Sequence, residues 1–551
     1  MLAKDRSDPE LDRELLDLPP ELRWREWMGR IEAILFASAS PVDREDLARV
    51  VGQGASVEML IEDIAAHLAI ATHRPVQLEL TREEEFFASR TRHPQTITFR
   101  TGVNADGTLV AQDMTVVGNT GPYGSHGFTV QIVTGLRGLT SYNCDNKAFN
   151  CEVVYSNIPV PGAYRGYGAP QALFALESHM EDIADNLRMD PIEFRLLNAS
   201  KEGTRRVDGP IFPKVGNVEC LEASRDTAQY KSKLEGPNRG RGVASGFWFN
   251  IGLQSSCSIS VNDDGTITLV EGSTDIGGTR ASIAMQAAEV LGIAAEDVHP
   301  SVGDTDSVGY TFLTGGSRVT FATGWAAHDC AQDIKKKMIE RAATIWDVSA
   351  DDVELEDGEF RHKSDPDLKM TFKELAGQLN GSGGPISSQV SVDPKGAGGA
   401  FSTHIVDVEV DTETGKVTIL DYTAIQDAGK AIHPSYVEGQ MQGGVVQGIG
   451  WALNEEYFFN EDGQMANSSF LDYRMPTSLD LPMISTVIVE VANPGHPYGV
   501  RGVGEIPIVP PMAAIANAIH DAIGVRMNVL PMSPGAVLEA IWEKEGAQAA
   551  D

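Results

Sequence analysis

The chain has little basic charge, few cysteines and no long apolar run, and each shortage excludes something. Its 44 Lys and Arg stand against 78 Asp and Glu, a formal charge of −34 over 551 residues. A nucleic acid held by phosphate neutralisation needs a basic face, so that class of partner is excluded. The five cysteines, at 144, 151, 220, 257 and 330, form no CxxC pair. That argues against iron–sulfur, structural zinc and dithiol chemistry within this chain. No uninterrupted apolar run reaches the ~18 residues of a membrane span. Residues 1–18 are charged and lack the apolar stretch of a secretory signal, so a reducing cytoplasm is the expected compartment. Also missing are GxxxxGK[ST], GxSxG, HExxH and a GxGxxG after a strand. The 12 histidines show no metal-ligand spacing, and His93, His126, His179 and His404 read as surface or hydrogen-bonded core residues.

What is present is a globular chain long enough for about three to five domains. Behind Pro19-Pro20, Trp24, Met28, Ile31, Ile34 and Leu35 repeat at helical spacing, and Asp43 to Leu47 opens a second short helix stopped at Gly52 or Gly54. From Val57 the pattern becomes mixed, with a helix over 57–71 and an alternating strand over Pro75–Leu80. Strands at Ile97–Val103 and Leu109–Val117 flank an Asn104-Ala105-Asp106-Gly107 turn. Gln171 to Leu187 is the clearest helix, its Leu173, Leu176, Met180, Ile183 and Leu187 stepping by 3 and 4. Residues 202–242 carry no period and read as a linker. Beyond them lie strands at Ser258–Val261 and Thr266–Val270, helices over 281–291, 325–346, 436–453 and 511–523, and a hairpin around Thr412–Gly415. Strands and helices interleave without a βαβ repeat, so the expected class is α+β. The expected division is 1–56, 57–235 and 236–551.

Three glycine-punctuated segments carry candidate chemistry. Ala163-Tyr164-Arg165-Gly166-Tyr167-Gly168-Ala169-Pro170-Gln171 precedes the best helix, where exposed N–H groups and Arg165 suit a carbonyl or an anion. Thr274-Asp275-Ile276-Gly277-Gly278-Thr279 and Thr314-Gly315-Gly316-Ser317-Arg318 are two strand-to-helix corners that suit a phosphate-bearing cofactor, with Gln440 and Gly443-Gly444 as a third wall. In Gly499-Val500-Arg501-Gly502-Val503-Gly504-Glu505-Ile506-Pro507 one carboxylate sits among apolar neighbours, which raises its proton affinity and suits a general base. Taken singly, each segment reads equally as a turn or an exposed loop.

Together the segments resemble the molybdenum-binding large subunit of the xanthine dehydrogenase / aldehyde oxidase family, over residues 57–545. Thr81-Arg82-Glu83-Glu84-Glu85-Phe86, Arg92-His93-Pro94, Asp190-Pro191-Ile192-Glu193-Phe194-Arg195, Asp304-Thr305 and Gln447-Gly448-Ile449-Gly450 complete the set. The resemblance implies a two-part molybdopterin-binding domain. It implies a molybdenum held by the pterin dithiolene and by no protein side chain, with the pterin in its simple form or as the cytosine dinucleotide. The implied reaction hydroxylates a carbon of a xanthine-like N-heterocycle, or an aldehyde, with water as the oxygen source. Glu505 is implied as the base, Arg165 and Arg92 as arginines that orient substrate, and Tyr167 as a substrate contact; Phe247 and Phe249 read equally as substrate contacts lining the access channel and as ordinary core aromatics. Gly166, Ile276, Gly277, Gly278, Gly315, Gly316, Ser317, Gln440 and Gly504 are implied cofactor-lining positions. Iron–sulfur and FAD subunits are the implied partners, in a homodimer of the heterotrimer, with no membrane partner.

The sequence also departs from that family. Val50-Val51-Gly52-Gln53-Gly54-Ala55-Ser56 stands where members carry a GGGFGGK-like stretch, so the usual front of the domain is expected to be lacking. Arg188 stands where a helix-ending glycine is usual. Residues 19–56 resemble instead the start of a bacterial segregation and condensation protein of the B type, a winged-helix module. Three functions therefore compete: a molybdenum hydroxylase subunit, a truncated or chimeric non-catalytic remnant of one, and a chromosome-organisation partner acting through residues 19–56.

Overall fold

The computed structural model describes residues 11–550 apart from 39–41, 43, 53–54, 56, 305 and 396–397. Residues 1–10, Asp43, Gln53, Gly54, Ser56 and Thr305, named above, therefore lie outside the described residues. The N-terminal part is a small helical unit in which the helix Pro20–Ala37 presents Trp27 and Ile31 to Leu47 and Val51. Leu60 and Ile64 of the helix Val57–Thr72 enter the same cluster, so this unit continues past residue 56. The strand expected at Pro75–Leu80 does not form. Those residues are extended and mostly exposed, and alternation without a pairing edge leaves a strand unmade.

Among the described residues, four sheets build the rest. Gln95–Val103 pairs antiparallel with Leu109–Asn119, which pairs parallel with Asn146–Val154. The helix Ala169–Leu187 covers this sheet, burying Leu173, Leu176 and Met180 against Met114 and Val116. A four-stranded sheet runs Ile484–Val489, Val417–Asp427, Gly399–Val410, Arg239–Phe249. A second four-stranded sheet runs Ser387–Val392, Ser255–Val261, Ile267–Glu271, Val298–Val302, under the helices Thr279–Leu291 and Gly324–Trp346. Lys369–Thr371, Glu359–His362 and Val353–Glu356 make the smallest sheet. The presumed linker 202–242 contains a helix, Asn217–Asp226, whose Cys220 and Leu221 pack on Ile405 and Ile425.

The helix Pro511–Ile523 lies directly on the strand Arg239–Phe249. A Cβ on Gly240 or Gly242 would run into the backbone of Ala518 and Ala514. Ile506–Ile523 is apolar and long enough to cross a membrane by composition, but Met512 to Ala516 and Ala518 to Ile519 are fully buried in the core. Three buried arginines tie these layers together by donating to backbone carbonyls. Arg195 joins Glu177 and Glu181 to Val243 O, and Arg318 gathers the carbonyls of Gly252, Leu253, Gln254 and Phe312. Arg501 pairs with Asp427 at 2.9 Å and donates to Val491 O, Gly399 O and Lys214 O.

Candidate active site

The three glycine segments meet. Gly166, Tyr167 and Gly168 are consecutive left-handed residues, with φ of 87°, 30° and 88°, and this tight turn aims both Arg165 and the Gly166 N–H away from the helix that follows. Gly166 N donates to Glu505 Oε1 at 3.3 Å, and Ser317 Oγ donates to Glu505 Oε2 at 2.9 Å. Glu505 N in turn donates to Ser317 Oγ at 3.1 Å. Gly502, with its N–H on Asn250 Oδ1, leaves no room for a Cβ against Ser317, which is how the two loops approach so closely. Arg165 is expected to hold substrate, but its guanidinium is directed at protein acceptors. Nε donates to Gly504 O at 2.5 Å, Nη2 to Gln440 O and Oε1 at 3.1 Å, and Nη1 to Gln447 Oε1 at 3.4 Å. It therefore acts as a tie between the Glu505 loop and the helix Pro434–Leu453. Gln440 passes the tie on, its Nε2 donating to Ile276 O at 3.2 Å.

Burial pushes the Glu505 carboxyl above the usual carboxylate value, and donation from Ser317 and Gly166, the Trp248 indole and the nearby Arg165 charge oppose that rise. The Trp248 indole N–H is buried without a partner at hydrogen-bond distance, close enough to favour the carboxylate. Two more guanidinium groups act on Glu505 through space. Arg92 lies between the rings of Tyr164 (4.5 Å) and Trp451 (4.4 Å), and its buried Nη1 and Nη2 have no hydrogen-bond partner. Desolvation lowers it to about 10. Arg137, on the helix Gly127–Gly138, stacks at 3.7 Å on Phe249 with Nε and Nη1 unpaired, and burial lowers it to about 9.

Among the other expected site residues, Tyr167 bonds His126 Nδ1 and Thr129 Oγ1 at 2.6 Å and edges a narrow crevice with Arg92, His93 and Gln171. Phe247 does not reach the site. It is 0% exposed and packs on Phe212 and Phe401, because alternate strand residues point to opposite faces and it is Trp248 that faces Glu505. Phe249 is half-buried at the strand end under Arg137. Ile276 is exposed, while Gly277 (φ 65°) and Gly278 (φ 100°) turn the chain into the helix Thr279–Leu291, held by Asp275 Oδ1 on the N–H groups of Gly278 and Thr279. Gly315 and Gly316 lead into Ser317, and a Cβ on Gly504 would sit in ordinary contact with Ser317 Oγ at 3.7 Å and Gln440 Oε1 at 3.8 Å.

These features fit a pterin with an anionic tail. Gly439 and Gly443, one turn apart beside Gln440, would meet nothing if given a Cβ. Among the described residues no group of three or more His, Cys, Asp or Glu is placed to hold a metal ion. Residue types alone missed Trp248, Asn250 and Arg137. An alternating strand signal at 247–249 carried the first of these, and a buried arginine gives no sequence signal of its own.

Two molybdopterin cofactor-binding domain models match the chain, one over residues 52–199 and one over residues 219–482. The xanthine dehydrogenase molybdenum-binding subunit of Escherichia coli O157:H7 is 37% identical over 510 residues, covering 89% of this chain and 68% of that protein. The fold is shared with quinoline 2-oxidoreductase from Pseudomonas putida 86, at TM-score 0.78 and 24% identity over 88% of this chain and 66% of that one. An aldehyde oxidoreductase structure from Desulfovibrio desulfuricans matches at TM-score 0.72 and 27% identity, over 87% of this chain and 52% of the other. This chain thus spans about two-thirds or less of the length of these relatives. The likeness of residues 19–56 to a segregation and condensation protein gains no support from these matches.

Proposed function

Since the chain belongs to the xanthine dehydrogenase / aldehyde oxidoreductase type of molybdopterin-dependent oxidoreductases, we propose that it is a hydroxylase large subunit acting on a carbon of an N-heterocycle or an aldehyde. Water supplies the oxygen, and the electrons leave to an iron–sulfur partner that works with an FAD subunit in the cytoplasm. When bound, the pterin-held molybdenum supplies the two-electron oxidising centre. Gly277, Gly278, Gly315, Gly316, Gln440 and Gly504 would line the pterin. Glu505 accepts a proton from the oxygen that water provides, and its raised proton affinity matches a base working near neutral pH. Arg165 keeps the Glu505 loop against the helix that carries Gln440. Arg92, with its unpaired Nη atoms, meets an electron-rich atom of the substrate and stabilises negative charge there. The first molybdopterin domain would extend to about residue 235.

The observation that carries this reading is the Glu505 carboxylate held at once by the Gly166 and Ser317 corners. Glu505→Gln keeps the shape and removes the base. With molybdenum content unchanged, turnover by the assembled enzyme should fall about 10²–10⁴-fold, and retained turnover rejects the reading. One observation favours the non-catalytic alternative. Gly52, in the segment that stands for the family's glycine-rich stretch, is buried against Trp27 in the helical unit and not beside Glu505. Purified chain free of molybdenum and pterin in the presence of its partners would establish that alternative.

A further inference from the structure

Ser317 occupies a backbone position that suits glycine. Its φ is 54°, directly after Gly316 at 70°, and a side chain in this left-handed region is strained. A Cβ on Gly316 would run into Ile251, and the next residue, Arg318, is fixed by its bonds to the carbonyls of Gly252, Leu253 and Gln254. A serine kept where glycine would sit without strain needs a use for its hydroxyl. That hydroxyl makes two bonds to one residue, donating to Glu505 Oε2 at 2.9 Å and accepting from Glu505 N at 3.1 Å. The pair locks both the backbone and the carboxyl of Glu505. We propose that Ser317 is a positioning residue for the base, holding Glu505 in one orientation and favouring its ionised form. The proposal rests on the reading of Glu505 as a base and adds to it a role distinct from lining the cofactor.

Other groups bear on the same carboxyl. From the 163–171 turn come the Gly166 N–H and Arg165, and from the strand Arg239–Phe249 comes the Trp248 indole N–H. Arg92 and Arg137 act from further off, each in a partly apolar setting. Of these, Ser317 alone both donates to the side chain and accepts from the backbone of Glu505. Its loss therefore removes a hydrogen bond to an ionised acceptor while leaving every charge in place.

The test uses Ser317→Gly and Ser317→Ala in the full chain with its partners. Both variants should move the acidic limb of kcat/KM against pH upward by about one to two units, the size expected for one lost bond to a charged acceptor. Ser317→Gly should lower the unfolding midpoint less than Ser317→Ala does, because both lose the same two bonds and only glycine relieves the φ strain. Molybdenum and pterin content should stay at the wild-type level in both. An unmoved limb, or loss of pterin, overturns the proposal, the latter making Ser317 a cofactor ligand instead. A difference infrared titration of the carboxyl, referenced to Glu505→Gln, reads the same shift without turnover. An inactive wild-type complex would thus refute the hydroxylase reading while leaving this inference testable.

Discussion

Replacing Arg501 by methionine removes the guanidinium paired with Asp427 while nearly keeping the side-chain volume. In the folded chain Arg501 is 1% exposed and Asp427 0%. Burial raises the Asp427 carboxyl from 3.8 to about 6, against the pull of Arg501 and of the N–H groups of Gly429, Val491 and Gly216. Without Arg501 the folded-state proton affinity rises further, so the native protein binds more protons than the unfolded chain over a wider pH range. A folded pKa above the unfolded one means stability falls as pH climbs through that window and stays low above it. At pH 8 the carboxylate is left unpaired, and a broken buried ion pair costs about 3–5 kcal/mol. At pH 5 Asp427 is nearer to protonation in both proteins, so the unpaired carboxylate weighs less. The remaining loss is then that of the bonds to Val491 O, Gly399 O and Lys214 O, about 0.5–1.5 kcal/mol each, a loss present at pH 8 as well. Urea unfolding of wild type and Arg501→Met at pH 5 and pH 8 measures both numbers. A deficit that is absent at pH 8, or larger at pH 5 than at pH 8, refutes the reasoning.

Two other tests follow from single side chains. Because burial lifts Glu505 above its ordinary value of 4.5, kcat/KM should rise with pH through a limb lying above that value as the carboxyl ionises. A limb at or below 4.5 contradicts the burial argument. Arg188 ends the helix Ala169–Leu187 with φ 56° and ψ 40°, so Arg188→Gly should stabilise the chain by about 1 kcal/mol. A lower denaturation midpoint would show that the arginine side chain makes up for its strain.

The periodic parts were legible before any coordinates. The 3- and 4-residue steps from Leu173 to Leu187 mark a real helix, and the Asn104–Gly107 turn joins a real hairpin. The glycine corners were legible as corners, because positive φ is something a glycine-rich string can announce. Their meeting was not, since it depends on pairings 188 and 339 residues apart in sequence. Pro75–Leu80 shows the opposite failure, an alternating string that finds no strand to pair with. Phe247 and Trp248 show a parity failure, in which a choice one residue away lands on the wrong face. Arg195, Arg318 and Arg501 were least legible, because a charge reads as surface until its acceptors are brought to it.

Gly240 and Gly242 let the helix Pro511–Ile523 rest on bare strand backbone. Main chain against main chain leaves no rotamer to yield, so the spacing between that helix and the sheet is fixed by atoms every residue shares. Glu505 lies six residues before the helix begins. Side chains around the acid can therefore be exchanged while the height of its footing stays constant.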